Sequence, residues 1–499
     1  MSRDESNYSV DRVSLFLYRV RAAQYGLKIR SRRFKLEAIG LAGVIIGLVG
    51  VWLGLNFEWL KPVKSLYVSA FSEHPMPTVA LTATFLAGIA WGLIRRFGNL
   101  SRVMLVASAT DEGAEEVRSC MSAGMRNYAA YTQLRLLYDE NIRDANVHLQ
   151  DAGWKQSFEF VQIGGYQYAS AALPLREPTR LDNLINSTMN AQVSDHQFAD
   201  MAESRQKLMG ALRRNITDAA RRNIERGANY RVIEMEFRQN GNGPPRVLLD
   251  VGVTSYGKIM RSCDAMINEF ALFAFLAGSN CSGMRPTTVL KCLPWRKRVH
   301  DAARSPGDLF LHPVDRAAGL GVAVATIMDN GEHQKVVGLG WRSEEVGTYP
   351  ACWHVIPAGM CNTHDTHRGR TLPNWYLTTT MRSEYLEEWF NDLQLEKGQM
   401  PYWREQVVDR WKEKAADRQI VLTGLAFDLL NLRPEVCAGV IVPKWGNELS
   451  WEYESGVAAY AEILGAPSKE IEPTQMVQSG AAAIFLAERY AMEIKAHLR

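Results

Sequence analysis

The sequence lacks any paired-cysteine motif. Among its 499 residues there is no CxxC pair, and the cysteines are odd in number and widely spaced. This pattern argues against a disulfide framework and favours a reducing compartment with free, mostly buried thiols. The seven are Cys120, Cys263, Cys281, Cys292, Cys352, Cys361 and Cys437.

The sequence also has little excess of charge of either sign. Its formal net charge is +3, which is too small to indicate a nucleic acid polymer as a partner. Hydrophobic residues make up 47% of the chain and charged residues 22%, which is ordinary globular composition and argues against wholesale disorder. A chain of this length predicts two or three folded units.

Two long uncharged apolar runs lie near the N-terminus, Ala38 to Leu55 and Val79 to Ile94. As a helix, the first run spans roughly 27 Å, close to the hydrocarbon thickness of a bilayer. A cleavable signal peptide fits poorly, because the first run begins far from the N-terminus and a second run follows. The runs predict a transmembrane hairpin over residues 37–97, with two buried helices of a soluble core as the alternative.

Basic residues flank this predicted hairpin on its outer sides, and only Lys61 and Lys64 are basic in the loop between the runs. Because positive charge stays inside, both chain ends are expected in the cytoplasm, with the hairpin in the inner membrane. Small residues recur along both runs every three or four positions, which lets helices approach within one hairpin or between protomers of a homo-oligomer. They are Gly40, Gly43, Gly47, Gly50, Gly54, Ala80, Ala83, Ala87 and Ala90.

The rest of the chain divides by composition. Residues 1–36 predict a cytosolic amphipathic segment that lies on the inner leaflet or packs on the cytosolic part. Residues 98–282 predict a cytosolic α/β region, and 283–318 a basic connector. Residues 319–499 predict a C-terminal α/β unit.

Apolar runs place several elements in these regions. Strands are expected at Tyr230–Phe237 and Val247–Val253, then at Gly319–Met328 and Lys335–Arg342. A further strand, Trp353–Ala358, ends at a Pro-x-Gly turn. Helices are expected from about Lys258 to Leu276 and from about Thr379 to Leu395.

Three carboxylates share one face of the helix predicted from Thr379. Glu384, Glu387 and Glu388 stand at i, i+3 and i+4, so their like charges repel. A divalent cation would relieve that repulsion, and Mg²⁺ prefers carboxylate oxygens. A solvent-exposed acidic face is the alternative. The preceding loop carries Zn²⁺ ligand types among ordinary polar residues, without a convincing tetrahedral spacing: Cys361, His364, Asp365 and His367.

The order of these elements from 319 to about 450 resembles the Nudix family. The residues that carry the resemblance are Arg342-Ser343, the run from Trp353 to Gly359, and Glu384 with Glu387-Glu388. The resemblance implies an α/β/α sandwich with a mixed sheet, in which the three glutamates bind Mg²⁺ and position a water that cleaves a nucleoside diphosphate derivative. It also implies that Arg342, Trp353 and Gly359 line a ligand pocket.

The sequence departs from the family pattern around the glutamates. Ser383 stands where the family has an arginine, and Phe390 stands where it has a glycine. These departures indicate a pocket that binds a nucleotide without cutting it, so no residue is assigned as catalytic, and Glu387 would be the base if hydrolysis remained.

A membrane hairpin joined to a degenerate Nudix-like unit resembles the membrane effectors of bacterial cyclic-oligonucleotide antiphage systems (CBASS). The resemblance implies that a cyclic nucleotide second messenger binds the cytosolic part, that protomers then oligomerise, and that the inner membrane is disrupted and the cell dies. The alternatives are a membrane-tethered Mg²⁺-dependent hydrolase and a scaffolding protein.

Overall fold

Two mixed β-sheets and the helices packed on them make up the described part of the chain. The structure is a computed structural model, and it describes residues 18–19, 119–180, 189–193, 228–238, 246–329, 335–342, 349, 351–362, 371–372, 375–390, 402–416, 418–442, 458–462 and 472–490.

The strands lie in both halves of the chain. They are β1 (Glu159–Ile163), β2 (Tyr166–Arg180), β3 (Met189–Val193), β4 (Ala228–Arg238), β5 (Arg246–Ser255), β6 (Gly321–Asp329), β7 (Lys335–Trp341), β8 (Trp353–Val355), β9 (Ala358–Met360), β10 (Thr371–Leu372), β11 (Val421–Asp428), β12 (Arg433–Val442) and β13 (Ala458–Glu462).

The helices lie before, between and after these strands. They are α1 (Tyr128–Asp151), α2 (Tyr256–Ile259), α3 (Ala265–Ala277), α4 (Pro286–Cys292), α5 (Pro294–Ala302), α6 (Asp308–Leu311), α7 (Trp375–Phe390), α8 (Tyr402–Lys414) and α9 (Gln478–Arg489). A π-helical turn, Met260–Asp264, joins α2 to α3.

The larger sheet combines strands that are far apart in the chain. Its order is β1-β2-β11-β12-β6-β7-β13, with β8 paired to β7 and β9 paired to β6. The β12–β6 pair is parallel, and the other pairs of this sheet are antiparallel. Ser170 on β2 donates a hydrogen bond to the carbonyl of Phe427 on β11, 257 positions away. The sheet therefore joins strands from both sides of the predicted connector.

The central strands of this sheet are buried on both faces. Every residue of β11 and β12 is buried. Because side chains alternate along a strand, the residues of β12 divide between two cores. Val436, Ala438 and Val440 belong to the core that includes α1, α3 and α7, while Cys437 and Ile441 pack with α9 on the other face.

The smaller sheet has the order β10-β3-β5-β4, with β3 and β5 parallel. It is tied to the larger sheet through main-chain hydrogen bonds of β4. The amide of Tyr230 donates to the carbonyl of Cys361, and the amide of Val232 donates to that of Ala318. These bonds place the start of α2, which follows β5, beside the β6 end of the larger sheet.

Helix α3 is a buried helix in the interior of the protein. Its sequence is largely apolar, and eleven of its thirteen residues are buried, which is typical of a helix within the interior. Tyr18, one of two described residues from the predicted N-terminal segment, is buried against it, with its ring centroid 5.6 Å from that of Phe273. At this residue, the segment packs on the described body. All seven cysteines are free and buried, as predicted.

The predicted fold class, a transmembrane hairpin followed by a Nudix-like sandwich, is wrong for the part of the chain that the structure describes. No helix within the described ranges is long and apolar enough to cross a membrane. The longest of them, α1, has 24 residues but carries charges along its length, including Arg135, Asp139 and Glu140. The segment 37–97, with its small-residue stripes, lies outside the described residues.

The sheet is mixed, as expected, but it is not a sandwich confined to the C-terminal part of the chain. Strands β1 and β2 extend it beyond β11, so residues 159–180 complete a sheet that was predicted to begin at 319. The physical reason is that β11 is buried on both faces and needs a paired strand along each edge. Strand β2 supplies the second edge.

Two fully buried arginines hold the turn between β11 and β12. Arg296 on α5 donates to the carbonyls of Leu429 and Leu430, at 2.7 and 2.6 Å, and to the hydroxyl of Tyr138. Arg316 donates to the carbonyls of Leu432, at 3.3 Å, and Leu309. Both side chains are completely buried, so their donors must find acceptors within the protein. The carbonyls of the turn are those acceptors.

We expect Arg296→Met to lower the free energy of unfolding by about 3–5 kcal/mol, because two buried carbonyls lose their donor while the volume is nearly kept. Arg298→Met on the same helix is the matched control. Arg298 is half-exposed and pairs with Asp315, so its loss should cost less than about 1 kcal/mol. Urea denaturation of both variants measures the difference, and equal losses would contradict this account of the turn.

Candidate functional site

A cleft of about 100 Å³, open to solvent in part, lies where the turn after β11 meets the ends of β6, β7 and β9. Its walls also include Tyr256 at the start of α2 and Val477 just before α9. The charged and polar groups that line it are Arg342, Tyr349, His354, Asp428, Asn431, Arg433 and Glu435.

The turn that forms one wall of the cleft is fixed by its own hydrogen bonds. The Asp428 carboxylate accepts from the amide of Leu430 at 2.8 Å, and the Asn431 side chain accepts from the amide of Arg433 at 2.9 Å. Leu432 adopts a left-handed conformation with φ 57° and closes the turn onto the carbonyl of Asp428. Such side-chain bonds to the backbone set the direction in which the strand leaves the turn.

Arg433 is buried between two carboxylates. Its guanidinium lies 3.4 Å from the Asp264 carboxylate and 3.9 Å from that of Glu435, and all three side chains are at most 8% exposed. Burial disfavours the charge on Arg433, but Asp264 and Glu435 outweigh that effect and raise its pKa. The positive charge of Arg433 is therefore neutralised by carboxylates of the protein itself.

Arg342, in contrast, has no carboxylate within ion-pair distance among the described residues. It follows β7, and its amide donates to the carbonyl of Cys352 at 2.9 Å. Its side chain is partly buried, and its Nε is shielded from solvent without a hydrogen-bond partner in the described part of the chain. Arg342 thus brings a positive charge to the cleft with donors that remain available.

His354 is held neutral beside the two arginines. Burial lowers its pKa, and the charges of Arg342 and Arg433 lower it further. Its Nδ1 accepts from the amide of Val355 at 2.9 Å, so the proton of the neutral ring is assigned to Nε2. The ring therefore offers the cleft a donor and adds no charge.

Asp428 is a carboxyl whose burial raises its pKa to about 7, from an ordinary value of 3.8. It accepts hydrogen bonds from the hydroxyl of Tyr349 and the amide of Leu430, which oppose the rise. Between pH 4 and 7, the folded protein therefore holds a proton at this site that the unfolded chain has lost.

The structure brings some of the predicted site residues to this cleft and not others. Arg342 and Gly359 line it. Trp353 does not belong to its walls; its ring lies edge-on to Trp341, with centroids 4.8 Å apart, while its neighbour His354 faces the cleft.

Two of the three glutamates of α7, Glu384 and Glu388, contact β9. Glu388 accepts from the amide of Ala358 at 2.9 Å, and Glu387 accepts from the hydroxyl of Ser383 at 3.1 Å. Glu384 lies against Gly359, where a Cβ would come within 2.6 Å of both its carboxylate oxygens. Within the described ranges, no three His, Cys, Asp or Glu side chains are grouped so that they could hold a metal ion. Of the predicted zinc-type loop, Cys361 is described and buried, while His364, Asp365 and His367 lie outside the described residues.

Sequence reasoning did not find Asp428, Arg433 and Glu435, which line the cleft, nor Asp264, which pairs with Arg433. The first three stand where the turn joins two apolar strands, β11 and β12. Charged residues are rarely buried unless they are paired, so a short charged stretch inside a fully apolar hairpin was the available signal.

Comparison with known proteins adds no assignment. No protein-family model matches the chain, and the search of curated proteins found no significant match. The resemblances to the Nudix family and to CBASS effectors stay predictions from the sequence.

We expect Asp428→Asn to remove a pH dependence of stability. In the wild-type protein, the proton kept by Asp428 contributes stability that falls by about 1.4 kcal/mol per pH unit as the pH rises from about 4 to about 7. Asparagine keeps an acceptor for the amide of Leu430, offers its own NH₂ as a donor to the hydroxyl oxygen of Tyr349, and does not titrate. Urea denaturation across this pH range measures the difference between the two proteins, and a constant difference would contradict the raised pKa.

We expect Gly359→Ala to lower the free energy of unfolding by about 1 kcal/mol or less, because the new methyl group meets the flexible end of Glu384, which is partly buried and can shift. The double variant Gly359→Ala/Glu384→Ala should recover part of this loss, with Glu384→Ala alone as the control. Strictly additive effects in urea denaturation would show that the two residues are not in contact.

Proposed function

We propose that the cleft binds a nucleotide, specifically a cyclic nucleotide second messenger, and that the protein acts by binding this ligand rather than by hydrolysing it. The observation that carries the proposal is Arg342, whose guanidinium faces a partly enclosed cleft with donors not used by the described part of the protein. An arginine fork matches the oxygens of a phosphate, and shielding from water strengthens the pairing.

The groups around Arg342 are close to charge balance. Two arginines, Arg342 and Arg433, stand with two carboxylates, Asp264 and Glu435, while His354 is neutral and burial keeps Asp428 partly protonated near pH 7. The support for a phosphate is therefore Arg342 itself, which has no carboxylate within ion-pair distance in the described part of the chain.

The walls of the cleft support a nucleoside unit next to the phosphate. Small-molecule sites combine apolar walls with a few placed polar groups. Here Val322, Val477 and Met360 are apolar, and Tyr256 offers a partly buried ring. An aromatic ring beside a phosphate-binding arginine is a combination that suits a nucleobase.

Hydrolysis by the glutamates of α7 has less support. Glu388 is engaged with the main chain of β9, Glu387 with Ser383, and Glu384 packs against Gly359. Glu384 and Glu388 thus support β9, which forms one wall of the cleft. The predicted oligomerisation and disruption of the inner membrane depend on residues outside the described ranges and stay predictions.

We expect Arg342→Ala to weaken binding of a cyclic dinucleotide or trinucleotide at least about tenfold, because a charge-assisted phosphate contact is lost. Arg410→Ala, on the exposed side of α8, is the control and should bind as the wild-type protein does. Calorimetry on the full-length chain with a panel of such nucleotides, followed by recovery of the ligand, measures both affinity and turnover.

Tight binding with intact ligand would support the proposal, and Glu387→Gln should then leave the affinity unchanged. Breakdown of the ligand that requires Mg²⁺ and disappears in Glu387→Gln would replace it with the hydrolase. Absence of binding to every nucleotide in the panel would reject nucleotide sensing at this cleft.

A further inference from the structure

The charged groups of the cleft form one connected cluster. Arg433 pairs with Asp264 at 3.4 Å and with Glu435 at 3.9 Å. Arg342 lies close enough to this ion-paired group that its charge opposes the rise in the pKa of Glu435 that burial causes, and it lowers the pKa of His354. Any charge that a ligand brings to Arg342 therefore also meets the charges of the other members of the cluster.

The cluster carries at least as many negative as positive charges. The two arginines are the cations among the described residues that line the cleft, and the two carboxylates of the ion-paired group balance them. His354 adds no charge, because burial and the two arginines keep its ring neutral. Asp428 adds between zero and one negative charge, because burial raises its pKa to about 7. Tyr256 and Tyr349 are phenols, which are uncharged at neutral pH.

Arg342 can neutralise one further negative charge and not two. It makes no ion pair among the described residues, so its guanidinium can pair with a singly charged group. A second charge on the ligand would have no cation of its own, and Glu435 and Asp428 would repel it in a site partly shielded from water. Phosphate groups differ in this respect, because a phosphodiester carries one negative charge and a terminal phosphate carries about 1.5 to 2 at neutral pH.

We infer that the cleft selects a phosphodiester, which brings one negative charge to Arg342, and excludes the doubly charged form of a terminal phosphate. This inference rests on the proposed nucleotide-binding function and names the class of phosphate that the site takes. A cyclic nucleotide contains phosphodiesters alone, whereas the linear product of its hydrolysis ends in a phosphate monoester. The charge balance of the cleft thus separates an intact cyclic nucleotide from its hydrolysed form.

The test compares two ligands that differ by one charge. Adenosine and guanosine 5′-monophosphates and their methyl phosphate esters displace the tightest-binding cyclic nucleotide of the panel from the full-length protein. If the singly charged form alone binds, the methyl ester should bind roughly 100-fold tighter at pH 8 and about twofold tighter at pH 6, because the second pKa of a phosphate monoester is about 6. Both bound ligands then carry one charge, so titration of Asp428, His354 or Glu435 affects them equally and cancels in the ratio.

Glu435→Gln tests whether the charge cluster causes this selectivity. The amide keeps the size of the side chain and removes one negative charge, so Arg433 gains positive charge that a doubly charged phosphate can use. The preference for the methyl ester at pH 8 should fall at least about tenfold relative to the wild-type protein. Glu413→Gln, at an exposed position of α8, removes the same charge away from the cleft and should keep the preference of the wild-type protein.

The outcomes separate the inference from the proposed function. If a cyclic nucleotide binds but the methyl esters displace it no better than the monophosphates at pH 8, selection by charge is rejected and nucleotide binding stands. A preference of equal size at pH 6 and pH 8 also rejects it, because a contact with the methyl group would then explain the difference. An unchanged preference in Glu435→Gln, shown to be folded by its binding of the cyclic nucleotide, rejects the role of the cluster. Absence of binding to every nucleotide rejects both proposals.

Discussion

Arg296 and Arg316 lie in the interior of the protein and donate to the carbonyls of the turn between β11 and β12. A buried guanidinium is stabilised by the acceptors around it, so the position of α5, which carries Arg296, that of the segment after α6, which carries Arg316, and that of the turn are set together. The turn in turn brings Asp428, Arg433 and Glu435 to the cleft. The shape of the cleft thus depends on the hydrogen bonds that Arg296 and Arg316 make to this turn. The turn joins β11 and β12, the two central strands of the larger sheet.

The two arginines of the cleft differ in their partners: Arg433 is ion-paired with carboxylates, and Arg342 makes no ion pair in the described part of the chain. Asp264, from the π-helical turn between α2 and α3, reaches Arg433 on β12 and links the helical layer to the sheet. π-Helical turns are frequent at functional sites, and here the turn holds Arg433, which lines the cleft, through an ion pair. Arg342, without such a pair among the described residues, is the residue to which the proposed function assigns the phosphate.

Much of the local structure could be predicted from the sequence. The strands expected at Tyr230–Phe237, Val247–Val253 and Gly319–Met328 are present as β4, β5 and β6, because runs of β-branched and apolar residues favour a buried strand. The helix expected from about Thr379 is present as α7, although it begins earlier and ends at Phe390. The basic stretch predicted as a connector contains α4 and α5, each with proline in its first turn, a position that favours helix initiation. In this stretch the basic residues were taken to indicate a linker, whereas Arg296 is buried and donates hydrogen bonds in the interior.

The sequence by itself predicted the type of the elements named above and the free, buried cysteines. It also predicted that Arg342 and Gly359 line a pocket, and both lie in the wall of the cleft. Those features depend on neighbours within a few residues, where side-chain periodicity and turn chemistry act. Only the tertiary structure decided that β2 pairs with β11, that Arg433 meets Asp264 across 169 positions, and that the α7 glutamates face β9. Strand pairing and buried ion pairs depend on which surfaces come together and exclude water when the chain folds. The residues of those surfaces are too far apart in the chain for any local pattern to predict.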